Sequence, residues 1–550
     1  MHEIRYFVPA YNFMEGEEKK HNISWVNKES ISTPYFHVGR ATDLSLGDYR
    51  LYRFLEMIPG LMAWGTIITI ILLSIFAPTI AAMFIIAFDV YWVLKTAHLS
   101  YHLRHNWKRI KHNLKVDWSS MLENLKYEHI YHLVVLPYYD ESEHVLNNTI
   151  EKLAESKYDL KKIIVVLGAE KRAGEDAILR GEAILLKYKE KFFDVLLTVH
   201  RDGIPGEMAG KGSNISYMAE EARKLILDAK NISYEDVLVS AFDSDTVVYP
   251  DYFTCLTWHF LTCEKPYQSS FQPVPLYNNN IWDAPAPSRV AAMSSTFWQM
   301  IQQERPEKLV TFSSHAVSFK TLYEVGYWQK NMVSEDSRIF WNLLMAHDGN
   351  YEIVSIAYPV SMDANLDSSL WQTMKNVYKQ HRRWAYGSEN VPYILMNFLK
   401  NKRIPLLQKI RISLVQLEGY WSLSTNPLII FLLGWLPVMI GGNIFNQTIL
   451  SYNLPIITRD LMVLSMLGLF LTAAISYSFL PPRPSNRTWR DNFSMIIQWI
   501  LVPITITIFG AVPGLEAQTR LMLGRYMGFW VTPKHRGEIK VFSKGKNANI

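Results

Sequence analysis

Two kinds of apolar patterning divide this chain. Long runs with almost no charge occupy Met57–Ala77, Thr79–Leu94 (interrupted only by Asp89), Pro427–Phe445, Leu461–Leu480 and Ser494–Pro513. Each is near the roughly 20 residues with which a helix crosses a bilayer. Five such runs describe a polytopic membrane protein better than a soluble domain with buried helices. Shorter runs lie between residues 128 and 360: IYHLVVLPYY (130–139), KKIIVVLGA (161–169), DVLLTVH (194–200) and DVLVSAF (236–242). Helical spacing of apolar residues separates them, as over Glu141–Lys157 and Ser213–Lys230. Strand, helix and strand alternating at intervals of about 30 to 40 residues predict a mostly parallel sheet with right-handed crossovers.

Charge orients these segments. Lys95, Arg104, Lys108, Arg109, Lys111 and Lys115 follow the second run with no acid among them, which places that side in the cytosol. The organisation expected is a cytosolic segment over 1–56 with no cleavable signal peptide and a transmembrane hairpin over 57–99 turning near Pro78. An α/β domain follows over 116–400, then an interfacial helix over 404–426 with charges on one side, transmembrane helices over 427–515, and a cytosolic tail over 516–550. From Arg520 onward that tail carries seven Lys/Arg against the single Glu538. Three crossings after the domain would leave it outside. Either Ile404–Asn426 contributes a crossing, or the stretch ending near Gly514 turns back without one. Cys255 and Cys263 have no zinc-site spacing.

Ligands of such sheets bind beyond the carboxyl ends of the strands. Asp140 and Glu141, Glu170, and Asp243 and Asp245 fall there. Clustered acids call for a compensating cation, and hard divalent metals take oxygen ligands. DGIPGEMAGKGSN (202–214) brings glycines and Lys211 ahead of a helix, which suits a diphosphate. The pair in FDSDTV also fits the nucleophile motif of haloacid-dehalogenase-type phosphatases, with Asp243 attacking phosphorus. That pattern belongs on a first strand, whereas three strands precede this one. Downstream, VSEDSRIFW (333–341) supplies Glu335 and Asp336, and YKQHRRWAYG (378–387) supplies Gln380, Arg383 and Trp384. Arginine donates to phosphate oxygens, glutamine both donates and accepts, and an indole face packs on a sugar ring. Asp89 reads as half of a pair between helices, and His315 as a structural histidine.

Asp-x-Asp, Glu-Asp and Gln-x-x-Arg-Trp in this order beside membrane spans resemble the membrane-embedded family 2 glycosyltransferases, the cellulose, hyaluronan and mannan synthases among them. The resemblance covers about residues 130 to 535 and extends to FWVTPK (529–534), which is similar to a gating-loop element of cellulose synthases. It implies a GT-A-type α/β domain, nucleotide-sugar-binding and cytosolic, joined to an α-helical transmembrane region. It further implies an inverting, metal-dependent transferase that moves a sugar from a nucleotide-sugar donor, a UDP-sugar foremost, to a glycan or lipid-linked acceptor among membrane lipids, with no nucleic-acid partner. Processive polysaccharide synthesis and single addition to a lipid both fit, and a non-catalytic scaffold or transporter is the rival class. By the resemblance Asp336 is the general base and Asp245 a ligand of Mg²⁺ or Mn²⁺. Asp243, Lys211 and Asn214 serve the nucleotide, Gln380 and Arg383 the diphosphate or glycan end, and Trp384 the acceptor sugar. Gly168-Ala169-Glu170 replaces the family's usual Asp-Asp-Gly-Ser, so Glu170 stands in for the base-reading acid, and Asp140-Glu141 replaces Asn-Glu.

Overall fold

In the computed structural model, residues 26–533 are described. The N-terminal residues before them and the basic tail, with Lys534 of FWVTPK, lie outside the described residues. The first two apolar runs form helices α1 (Leu46–Phe76) and α2 (Pro78–Asn113), meeting at Ala77. Pro78 opens α2 where its missing N–H is not needed. The polar segment ahead of α1 is part of the α/β domain: Val26, Phe36, Val38 and Ala41, with Tyr52 and Leu55 of α1, are buried in the same apolar cluster as the sheet.

The sheet has eight strands, β1 (Tyr131–Tyr138), β2 (Ile163–Glu170), β3 (Asp194–His200), β4 (Val237–Ala241), β5 (Val247–Val248), β6 (Ser269–Tyr277), β7 (Ala316–Ser318) and β8 (Glu352–Met362). Their order is β3-β2-β1-β4-β7-β6-β8-β5. The first four are parallel, as expected. Their apolar runs are continuous because both faces are covered: Leu133, Val135, Ile164, Val166 and Val239 face one cluster, and Val134, Leu136, Ile163, Val165 and Leu238 the other. β7 pairs antiparallel with β4 and β6, and β8 runs parallel to β6. Consequently β1 to β4, β6 and β8 all end at one edge, and β7 begins there. Helix α3 (Lys211–Ala222) starts at that edge and packs Ile215, Met218 and Ala219 on the first face. Three more helices matter to it: α4 (Glu335–Ala346), α5 (Leu370–Ala385) and α6 (Asn390–Lys400).

Four helices among the described residues are long and apolar enough to cross a membrane, or five with one bent pair counted. That pair is α7 (Leu406–Phe431) followed, after a 47° bend, by Leu433–Ile440. The interfacial helix expected over 404–426 and the span expected over 427–445 are thus one unit. Its charges sit in the first half, where Glu418 pairs with Lys95 and Lys308 at 2.8 and 2.7 Å. The apolar remainder reaches the hairpin tip, where a Cβ on Gly441 would lie 2.8 Å from that of Pro78. Helix α8 (Ile449–Ser478) returns, and Trp107 and Lys111 of α2 donate to Ser478.

The last apolar helix, α9 (Trp489–Met522), stays bound to the α/β domain. Arg487 just before it pairs with Asp283 at 2.8 Å, and Arg289 donates to Gln498 at 2.6 Å. Phe509 packs with Ala291 and Val377, and Glu516 accepts from Tyr378 and Arg382 at 2.7 and 2.6 Å. Beyond α9, residues 524–533 lie against the α/β domain, where Arg40 donates to Met527 O at 3.0 Å.

Candidate active site

The turn after β4 is rigid. Thr246 N–H donates to Asp243 O at 2.9 Å, and Asp243 N–H donates to Thr246 Oγ1 at 3.1 Å. Ser244 Oγ donates to Glu141 at 2.8 Å, which ties the turn to the loop after β1. Asp245 is buried, and its Oδ2 accepts from Asp363 N–H at 2.9 Å, just beyond β8. Asp243 engages α3 instead: Lys211 Nζ lies 2.6 Å from Asp243 Oδ1 and 3.0 Å from Asp336 Oδ2. One buried ammonium therefore joins the β4 turn to the first turn of α4. Burial disfavours its charge, but Asp243, Asp336 and Glu335 outweigh this and hold the lysine above its ordinary range.

The two acids of α4 differ. Glu335 is fully buried, and burial, then the charge of Asp336, push its carboxyl up against the pull of Lys211 and Arg383. Asp336 keeps contact with solvent, and its Oδ1 has no hydrogen-bond partner among the described residues. His315 Nδ1 stands 3.9 Å from that oxygen. Trp328 Nε1–H donates to His315 Nε2 at 3.0 Å, so the ring proton sits on Nδ1 and donates to Phe312 O at 2.7 Å. This histidine is satisfied as a structural residue should be. Burial lowers its pKa against the opposing charge of Asp336, and β7, entering from the open edge, sets it beside the acid.

Helix α5 closes another side. Gln380 Oε1 accepts from Asn365 at 2.7 Å. The Trp384 ring lies 6.0 Å from Tyr277 at the end of β6. Burial raises the Tyr277 phenol, and the charges of Asp243 and Asp245 add to it. The Arg383 guanidinium stands 4.8 Å over the Phe529 ring, and Lys379 5.3 Å over Trp530. Phe529 and Trp530 belong to a strap that crosses from α9 over the open edge. Gly210 is required by this approach, since a Cβ there would lie 2.7 Å from Phe529 Cγ.

Lys211 thus joins Asp243 and Asp336 directly, and Gln380, Arg383 and Trp384 all come from α5. Three further expected binding residues have other partners. Asp140 is exposed and pairs with Arg180 at 3.5 Å. Glu170 pairs with Arg172 in a cleft beside His200, Asp202 and Glu207, whose lining runs on to Met208 and Ala209 just ahead of Lys211. Asn214 is buried and donates to Gly168 O at 2.9 Å, because helical spacing from Lys211 turns its amide onto β2. Tyr277 and Asp363 escaped the sequence reading, although both close strand-length apolar runs and a fuller tally of strand ends would have included them.

Among the described residues no group of three or more His, Cys, Asp or Glu could hold a metal ion by itself. Asp243 and Asp245 together offer hard carboxylate oxygens. Such a pair fits an ion that fills its shell with substrate phosphate oxygens and water.

A mostly parallel sheet with acids and a lysine gathered at its carboxyl edge is the arrangement of a GT-A-type glycosyltransferase. Residues 238–508 match the sequence family described as Glycosyl transferase family group 2, and the chain carries a family 2 glycosyltransferase domain. Among curated proteins it is similar to the poly-beta-1,6-N-acetyl-D-glucosamine synthase of Staphylococcus epidermidis, 26% identical over 136 residues. That stretch is 24% of this chain and 29% of the synthase, so the chain matches less than a third of that relative's length. Among solved structures it is similar to a mannosyltransferase of Pyrobaculum calidifontis in complex with GDP-Man and Mn²⁺, with a TM-score of 0.38, 13% identity, and coverage of 70% of this chain and 99% of the other. It is similar also to residues 1–349 of S. aureus TarS, with a TM-score of 0.33, 13% identity, and coverage of 64% and 91%. The Asp243–Asp245 pair directly follows the strand on which the family match begins, so the phosphatase reading of that pair is set aside.

Proposed function

We propose that this protein is an inverting glycosyltransferase that extends a glycan at the membrane from a nucleotide-sugar donor. The observation that carries the proposal is Lys211, whose ammonium bridges Asp243 on the donor side and Asp336 on the acceptor side at 2.6 and 3.0 Å. Asp336 is the general base. Its side chain is partly exposed, which puts it within reach of an acceptor hydroxyl. As that proton moves to Asp336, the acceptor oxygen bonds the anomeric carbon from the face opposite the nucleotide. The bond to the diphosphate oxygen breaks, and configuration inverts. Lys211 and Arg383 are the cations that meet the charge of the departing diphosphate.

Asp243 and Asp245 would hold Mg²⁺ or Mn²⁺, which when bound neutralises diphosphate charge. Trp384 beside Tyr277 offers an aromatic wall to the acceptor sugar. Extension of a polymer, rather than a single addition, is favoured by the similarity to a polysaccharide synthase and by membrane helices packed directly on the domain.

The test is transfer by the purified full chain in lipid nanodiscs, with a panel of radiolabelled nucleotide sugars and either ion. Product size separates polymer from single addition, and the anomeric configuration of the product reports inversion. Equal activity of wild type and Asp336→Asn with every donor would sink the mechanism.

A further inference from the structure

The first turn of α4 carries Glu335 and Asp336, yet the helix is not capped by its own N-cap side chain. Its leading backbone is held by Glu389, from the short turn between α5 and α6. Glu389 Oε1 accepts from Val333 N–H at 3.0 Å, Ser334 N–H at 2.9 Å and Ser334 Oγ–H at 2.8 Å. Three donors on one carboxylate oxygen fix the chain immediately before Asp336. The grip is returned from the other side. Arg338, one turn further along α4 and fully buried, donates to Asn390 Oδ1 at 2.6 Å and to Glu389 O at 3.3 Å. Asn390 Nδ2 in turn donates to Ser337 Oγ at 2.9 Å. Glu389 stands six residues beyond Arg383 on the continuation of the same helical segment.

From these contacts we infer that Glu389 is a positioning residue that sets the general base, locking the helix of Asp336 to the segment that carries Arg383. The role rests on the proposal that Asp336 is the base. Asp336 and Arg383 sit on different helices, 47 residues apart in the chain, and near-attack geometry requires them to keep a fixed distance as substrates enter and leave. Misplacement by about 1 Å costs on the order of 100-fold in rate. Glu389 Oε1 is engaged by the start of α4, so its removal is expected to act on turnover rather than on donor binding.

Four variants test this in nanodiscs: Glu389→Ala, Glu389→Gln, Asp336→Asn and the double Asp336→Asn/Glu389→Ala. Glu389→Ala should lower kcat by roughly 10- to 100-fold with the donor KM within about twofold of wild type, a split that general loosening of the fold does not produce. Glu389→Gln, whose amide oxygen still accepts from both N–H groups, should recover most of the loss. The double variant should be no slower than Asp336→Asn alone, since a misplaced base matters only while there is a base. Wild-type kcat in folded Glu389→Ala overturns the inference, as does a loss residing wholly in KM or a fully additive double variant. If Glu389→Ala does not fold, Ser334→Ala, which removes one of the three bonds, decides the same way: a several-fold fall in kcat supports the role and an unchanged kcat refutes it. Wild-type turnover in Asp336→Asn instead overturns the assignment of the base, and the positioning role with it.

Discussion

Gly210 offers the cleanest perturbation of the strap. Its φ of 175° is ordinary extended backbone, so alanine brings no conformational cost, and the whole effect of Gly210→Ala is contact. The new methyl would stand 2.7 Å from Phe529 Cγ and 2.8 Å from its Cβ. Carbon atoms pack at about 3.5 to 4 Å, so the ring or the start of α3 must yield by roughly 1 Å. Phe529 bears Arg383 on its face at 4.8 Å, and a ring displaced by that amount loses much of the cation–π contact. Such contacts contribute about 0.5 to 2 kcal/mol, a factor of roughly 2 to 30 in an equilibrium. Because Arg383 is assigned to the diphosphate, the loss should appear as a rise of that size in the donor KM, measured by initial rates against nucleotide-sugar concentration. Phe529→Ala should do the same. Gly210→Ala/Phe529→Ala should be no worse than Phe529→Ala, since without the ring the methyl has room. A donor KM unchanged in Gly210→Ala, or fully additive losses in the pair, would refute the coupling of strap to site.

Lys211→Met keeps the aliphatic stem and removes the charge between Asp243 and Asp336. Transfer should fall at least about 100-fold in kcat/KM, with a stability loss of roughly 1 to 3 kcal/mol because both acids are partly hydrated, and activity retained within tenfold would count against the bridge. Glu335 has its pKa raised in the fold, so it stabilises the protein least when ionised: stability is full below the unfolded carboxyl pKa and falls as pH rises through the raised folded value. Glu335→Gln should therefore melt higher than wild type above about pH 8, by on the order of 2 kcal/mol, and alike near pH 4. A melting difference independent of pH would contradict the assigned burial. Asp245→Asn should raise the Mg²⁺ or Mn²⁺ concentration for half-maximal transfer by about tenfold or more; an unchanged metal titration would remove Asp245 from the ion.

The α/β domain was legible because β1, β2 and β4 are buried on both faces, which forces unbroken apolar runs such as Ile163–Leu167, too short for a spanning helix and bounded by polar residues. β5 and β7 were not legible. At two and three residues they are too short to carry a period, and their pairing is dictated by neighbours far along the chain. The same limit governed the site. Asp243, Asp336 and Arg383 announce themselves through residue type and order. That Asn214 turns inward while Lys211 turns outward depends on three residues of helical rotation relative to β2, which no residue type records.

The membrane region was legible through apolar length, and its last helix bears on how the site works. Ser494–Pro513 lies in α9, among the helices long and apolar enough to cross a membrane, but apolar residues that would face lipid and apolar residues that face a protein look alike in sequence. What separates them is the polar residues at intervals along α9. Gln498 meets Arg289, and Glu516 meets Arg382 and Tyr378. Polar groups left in hydrocarbon would each cost several kcal/mol, so these positions mark the side that docks. Arg382 and Arg383 are adjacent in α5: one is anchored to α9 through Glu516, and the other reaches the strap that α9 leads into, through Phe529. The helix whose hydropathy suits the bilayer is thus also the element that carries the C-terminal strap to the candidate active site and brings Phe529 to Arg383.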